Sequence, residues 1–337
     1  MPTTRREHYV QARYLDGFLA PSSDKLWCYG RKRAEPFSAI PDKLACQRDF
    51  YRFPNASADT NLESFLEKFV EAPGLAALRK LLETRQASDI ENRIQLAKYI
   101  AFQEMRVPHT REVNRQHASQ SVNHMLQRLR EKGGTSAVVQ NIALAEGVEV
   151  QRAESFSVTR EEIEAYEKEI ADNPKSFDLG SMVDLANDMT TFYATMRWTI
   201  LLARPNAAFI TSDCPVFRTF REPGGDDALL RPDCSVCCPL SSRALLVLDH
   251  DLEYLKVCMR ETAEGNGKTL PPASFRTITD AGVANYNRRI ADYSHRWCFS
   301  GLKDAWITEA MQHPSKRRAP DFFEQGEISG VRWRRTE

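Results

Sequence analysis

No apolar run in this chain is long enough to cross a bilayer. The longest, such as Trp198 to Ala203 and Ala244 to Leu248, fall far short of the roughly 20 residues that a spanning helix needs, so no transmembrane helix is expected. Net charge is missing as well, 46 Lys and Arg balancing 46 Asp and Glu, so overall charge selects no class of partner. The first residues, Met-Pro-Thr-Thr-Arg-Arg-Glu-His-Tyr, carry charges where a secretory leader is apolar, and a cytoplasmic location is the expectation. Cys234 and Cys237 have CxxC spacing without the second such pair of a zinc ribbon, which argues against structural zinc. The glycine pairs at Gly133-Gly134 and Gly224-Gly225 lack the Lys-Ser/Thr continuation with which a P-loop holds phosphate and magnesium, which excludes ATP hydrolysis by that device.

What is present describes a folded protein. The 337 residues are 42% hydrophobic, enough for a core that needs neither disulfide nor metal. The eight cysteines are expected as thiols in a reducing compartment. Charge is locally uneven: residues 1 to 48 hold nine Lys/Arg against five Asp/Glu, and 149 to 188 hold eleven acids against four bases. Nucleic acid could approach the first stretch and would be repelled by the second.

Along the chain, a short helical pattern at Tyr9, Tyr14 and Phe18 precedes a strand-like Lys25 to Tyr29. Helical periodicity starts at Leu62 and restarts after Pro73. Ser88 and Glu91 make a capping box before an apolar stripe of Ile90, Ile94, Ala97, Ala101 and Met105, which Pro108 ends. A further helix is expected as far as Gly133, burying Ala118, Val122, Met125 and Leu129. Thr159 and Glu162 cap an acidic surface helix. Residues 180 to 202 show the strongest buried-helix pattern, closed by Arg204-Pro205. Strands are expected at 207–211, 234–238, 244–248, 254–258 and 296–300, with a helix from Thr279 to Tyr293. The expected fold is α+β, with a central helical region and a smaller, mostly antiparallel C-terminal sheet. It forms one integrated domain over 1–310, comprising an N-terminal arm (1–53), a mainly helical part (60–204) and a sheet-rich part (205–301). A polar tail follows at 311–337.

Several short motifs occur in a set order: His8-Tyr9-Val10, Tyr14-Leu15 and Phe18, Asp49-Phe50-Tyr51, Gln103-Glu-Met-Arg106-Val-Pro108, Ile210-Thr-Ser-Asp213-Cys-Pro215-Val216, Pro239-Leu240-Ser241 and Asn287. Together they resemble the bacterial family catalogued as domain of unknown function 4238, over most of residues 7 to 301. The chain departs from the family at Gln11, where the family often has proline, and at Cys214, where asparagine is usual. The resemblance brings no catalytic roles with it. It implies that His8, Gln103, Arg106 and Asp213 belong to one recurring constellation.

Each of those residues has a chemical and a structural reading. Asp213 ends an apolar strand, where a carboxylate can act as acid, base or metal ligand, or can close an Asx turn before Pro215. His8 titrates near neutrality and can transfer a proton, or can donate a hydrogen bond that docks the N-terminal arm. Tyr99, Gln103 and Arg106 share one helical face. Arg106 can clamp a phosphate or carboxylate and Gln103 can bond a base or amide, or Arg106 can pair internally with Asp213 or Glu104. His117 and His124 are seven residues apart, too far for two helical histidines to converge on one ion, so no metal site is expected. Cys214 is the one thiol whose surroundings suit a nucleophile test, although Asp213 beside it disfavours the thiolate. The leading expectation is a hydrolase acting on a phosphorylated or nucleic-acid substrate, with His8 and Asp213 catalytic and Gln103 and Arg106 binding substrate. No motif names a cofactor. The competing expectation is a non-enzymatic ligand-sensing or interaction module, in a setting of bacterial stress or defence.

Overall fold

Residues 6–52, 62–85, 90–119, 160–220, 233–250 and 273–314 are described by the computed structural model, with two short strands at 327–328 and 331–332. In chain order the elements are β1 (Arg6–His8), α1 (Ala12–Leu15), β2 (Leu26–Gly30), β3 (Phe37–Ala39), β4 (Cys46–Arg48), α2 (Leu62–Leu66), a π-helical turn (Glu67–Glu71), α3 (Ala72–Thr84), α4 (Ile90–Met105), α5 (Arg160–Asp172) and α6 (Pro174–Thr195). They continue as β5 (Arg197–Leu202), β6 (Thr211–Ser212), β7 (Phe217–Phe220), β8 (Cys234–Ser241), β9 (Ala244–Asp249), β10 (Ser274–Thr277), α7 (Asp280–Tyr293), β11 (Trp297–Ser300) and α8 (Ala305–Gln312). Among the described residues, no helix is long and apolar enough to cross a membrane.

The chain is α+β, but its sheets are not gathered into one C-terminal block, and the expected arrangement is corrected on that point. A five-stranded sheet runs β10-β5-β9-β8-β7, antiparallel except for the parallel pair β10 and β5. A four-stranded sheet runs β3-β2-β11-β6, and β1 pairs with β4 alone. The second sheet joins chain ends: Cys28 lies opposite Phe299, and Phe299 opposite Thr211. Residues 26 to 30 are therefore a sheet component with Leu26, Cys28 and Tyr29 buried. Strand β5 also falls inside the stretch expected to be helix up to residue 202. A short apolar run suits a buried strand as well as a buried helix turn, and Trp198 to Leu202 sits in register with β9 from Ala244 to Leu248.

The helices follow their capping chemistry. Thr279 caps α7 by accepting from the Gly282 N–H, and Asp304 caps α8 by accepting from the Trp306 N–H. Pro73 does not separate two helices. It cannot donate to the carbonyl of Phe69, and the π spacing of Glu67–Glu71 widens the turn ahead of it, so α2 runs through into α3. On α4 the expected stripe holds for Ala97, Ala101 and Met105, whereas Ile90 and Ile94 are exposed and Arg93 is buried in their stead. Arg93 lies over the Trp198 ring at 4.5 Å. It donates to the carbonyls of Ala194 (2.7 Å) and Met196 (2.5 Å), groups that the end of α6 leaves unpaired.

The chain divides into two units, one made of Met1–His109 and Met182–Asp321, the other of Thr110–Ser181 and Phe322–Glu337. The first holds the two larger sheets and a core that includes Tyr29, Phe209, Phe217, Leu245, Ile290 and Phe299. In the second, Asp178 sits between Arg115 (3.1 Å) and Arg111 (3.9 Å), and Tyr166 meets Phe177 edge to face. Ser88, Thr159, His124, the buried positions expected from Val122 to Leu129, both glycine pairs, the strand at 254–258 and much of the tail lie outside the described residues.

Candidate functional site

The segment Glu7 to Gln11 carries His8 and meets Gln103, and it is bonded at each step. The Tyr51 N–H donates to the Glu7 carboxylate (2.5 Å), and the Tyr51 hydroxyl donates to the His8 carbonyl (2.9 Å). The Tyr9 N–H reaches the Ala45 carbonyl (2.9 Å), while the Tyr9 carbonyl accepts from Gln103 Nε2 (3.0 Å). Gln11 donates to Glu71 (2.8 Å) and accepts from the Tyr99 hydroxyl (3.2 Å). Strand β1 alone is three residues long, too short to hold itself, so these side-chain bonds fix the arm.

Arg106 stands behind this segment at 1% exposure. One terminal nitrogen donates to Glu71 and the other to Gln103 Oε1 (2.5 Å), and its Nε has no partner. Burial works against its charge, but Tyr51, Glu71 and Tyr99 outweigh that, and the guanidinium stays a cation. Arg106 and Gln103 are thus brought together, as their shared helical face predicts, and the partner of Arg106 is Glu71 rather than Asp213 or Glu104. Glu104 is bonded instead by Arg218 (2.8 Å) and by the Tyr193 hydroxyl. The π turn also crowds carboxylates: burial, together with Glu7, Glu71 and Glu67, pushes Glu63 up to about 7.

Asp213 occupies a different place, at 3% exposure. Its carboxylate accepts the backbone N–H groups of His295 (3.0 Å) and Arg296 (2.7 Å), and its own N–H donates to the Trp297 carbonyl (2.9 Å). Desolvation prevails over these bonds and raises its pKa to about 6. The side chain clamps the turn between α7 and β11. Arg31 holds that turn from its other side, donating to the carbonyls of Ala291 (2.7 Å), Asp292 (2.8 Å) and Ser294 (2.7 Å). Tyr9 links the two regions, since burial first and then the charge of Asp213 raise its phenol.

His8 is partly exposed, and its Nε2 lies 3.2 Å from the Asp42 carbonyl. No direct bond joins it to Arg106 or Asp213 among the described contacts. The other motifs meet in pairs. Tyr14 bonds Thr211 (2.9 Å) and the Pro239 carbonyl (2.7 Å), and Asn287 holds the backbone at Ala208 (2.8 Å) and Ile210 (3.0 Å). Burial raises the Cys214 thiol well above its ordinary value, and Cys237 and Cys298 to about 12, so none of these three is an activated nucleophile. A feature absent from the sequence reading is the stacked pair of His109 and His295, 4.6 Å apart and 14° from parallel, with the exposed Arg296 next in the chain. Glu71 was also not singled out by any pattern, and Gln11 was marked only as a departure from the family's proline. Three glutamates at i, i+4 and i+8 precede Pro73, and nothing in their spacing marks the last as the partner of Arg106.

Comparison with known proteins returned no match among curated proteins and none among solved structures. A family profile does match, from the first residue of β1 to the loop before α8, and so takes in both clamped regions. Over residues 6–304 the chain fits the family described as Protein of unknown function (DUF4238), and it belongs to that family.

Proposed function

We propose that this protein works by recognition, as a ligand-sensing or interaction module, and that Gln103 and Arg106 serve to lock the N-terminal arm. One observation carries this reading: the guanidinium that would grip an anionic substrate is almost fully buried, with one terminal nitrogen on Glu71 and the other on Gln103. A buried Arg–Glu pair of this kind holds two segments in a fixed register and has no free fork for an incoming phosphate. A phosphorylated molecule or nucleic acid would meet the protein at the turn bearing His295 and Arg296, where an exposed cation stands beside two imidazoles.

Purified full-length chain should be incubated with bis-p-nitrophenyl phosphate, nucleotides and single- and double-stranded nucleic acids, with and without magnesium or manganese. The expected result is no turnover, together with Arg296→Ala weakening any nucleotide or nucleic-acid binding seen by titration. Turnover lost in both His8→Ala and Asp213→Ala would overturn the reading and restore a hydrolase built on those groups. The second reading is a phosphoester hydrolase centred on His109 and His295, favoured by their stacking next to Arg296, since two imidazoles beside a cation can share acid and base roles. Turnover abolished by either histidine-to-alanine change, and retained in His8→Ala, would select it.

A further inference from the structure

Six large apolar side chains are exposed among the described residues, and four of them lie on α2, the π turn that follows it and α4. Phe65 (37% exposed) and Phe69 (48%) pack on each other at 5.3 Å along α2 and the π turn. Ile90 (38%) and Ile94 (41%) are one turn apart on α4, and Lys98, the next turn on, places its ammonium 6.0 Å from the centre of the Phe65 ring. Lys68 lies 5.1 Å over Phe69. Lys98 therefore stands between the isoleucines of α4 and the phenylalanine pair, and the two lysines sit against the rings. Exposed apolar side chains grouped in this way mark a surface that is covered in use.

The charges along α4 indicate what covers it. Glu91 and Lys98 are seven residues apart, two turns on one face, with Ile94 between them, so the stripe is acidic at one end and basic at the other. Two such stripes laid antiparallel across a two-fold axis near Ile94 bring Glu91 of each copy to Lys98 of the other, with Ile94 on Ile94 at the centre. Such a closed, self-complementary contact is the commonest form of homo-oligomer. An anionic lipid surface fits less well, because Glu67 and Glu91 are exposed on the same helices as the two lysines.

We propose that this face, formed by Phe65, Phe69, Ile90 and Ile94 with Glu91 and Lys98 at its ends, pairs with a second copy of the same chain through antiparallel α4 helices. Sedimentation velocity of the full-length protein over a concentration series tests it. Dimers are expected, and Phe69→Asp and Ile94→Asp should each give monomers with an unchanged far-ultraviolet circular dichroism spectrum. Glu91→Lys or Lys98→Glu alone should weaken pairing about ten-fold, since either change sets like charges opposite each other twice, and the double exchange should restore it. A wild-type chain that is monomeric up to about 100 µM overturns the proposal, as does a dimer indifferent to both aspartate variants. So does a double exchange that pairs no better than the single ones. If the monomeric wild type instead co-sediments with phosphatidylserine-containing vesicles and Phe69→Asp abolishes this, the face belongs to a membrane and self-pairing is wrong.

Discussion

At the scale of single residues, the four candidate side chains are distinguished by what already occupies them. Arg106 and Glu71 form a buried ion pair that two glutamines and a tyrosine extend to the N-terminal segment. Removing one partner leaves the other charge without compensation, whereas removing both leaves only lost packing. Arg106→Met alone is expected to cost about 3–5 kcal/mol in urea unfolding, and Arg106→Met with Glu71→Leu to recover most of that. Equal losses in the single and double variants would mean that the pair does not couple. Asp213 makes a prediction in pH. Its folded-state pKa, about 6, lies above the ordinary 3.8, so the native chain binds this proton more tightly than the unfolded one. The stability due to this proton is fully present below about 4 and is lost as pH rises through 6. Relative to Asp213→Asn, wild type should therefore gain stability as pH falls from 7.5 to 4.5, by about 2–3 kcal/mol at most. A gap between the two that is constant with pH would place the carboxyl at its ordinary value. The sequence showed that Gln103 and Arg106 share a face, because helical spacing is enough for that. It did not show Glu71 as the partner, because the side of α3 and its π turn that meets α4 is a tertiary matter.

At the scale of elements, α3 and α4 pack closely because of one glycine. A Cβ built on Gly74 would stand 2.4 Å from the Tyr99 Cβ and 2.7 Å from its Cγ, which no rotamer change of Tyr99 can relieve at the Cβ. Gly74→Ala favours the isolated helix by about 0.5–1 kcal/mol, but overpacking costs about 1–3 kcal/mol, so a net destabilisation is expected. Its melting temperature should fall, and because Tyr99 bonds Gln11, the arm should become more open to proteolysis. A melting temperature at or above wild type would show that the helices separate without cost. This contact was hidden in the sequence, where helical periodicity restarts after Pro73 and nothing marks Gly74. α7 was legible throughout, since Thr279 at its cap and its buried Val283, Ile290 and Ala291 are local signals. The exposed Ile90 and Ile94 were misread for the opposite reason. Periodicity identifies an apolar stripe, but it does not say whether another part of the same chain covers it.

At the scale of the whole molecule, the four-stranded sheet ties together segments far apart in sequence. β11 is an inner strand, bonded to β2 on one side and β6 on the other, and Asp213 and Arg31 both hold the turn that leads into it. Tyr29 on β2 reinforces the closure, its hydroxyl donating to the Leu302 carbonyl (3.2 Å) and accepting from the Asp304 N–H (2.8 Å). Alternation in a strand tells which side chains are buried but not which strand lies beside it, and this is why residues 1–53 read as an arm instead of part of a sheet. Non-local pairing also means that the edge of β2 away from β3 is not completed until residues near 300 exist, a late closure paid in loop entropy. A chain stopped after Ser294 lacks β11 and α8, leaving the edges of β2 and β6 unpaired, the Asp213 carboxylate without the Arg296 N–H, and Leu26, Cys28 and Tyr29 without their cover. It is expected to lose the near-ultraviolet circular dichroism of the folded protein, and trypsin should cut it faster than the full chain at Lys25 and at Arg31 to Arg33, which flank β2. Cooperative unfolding with a native-like spectrum in that shortened chain would mean that the N-terminal strands are stable without the C-terminal one, and that the sheet is an accessory to the fold and not its closure.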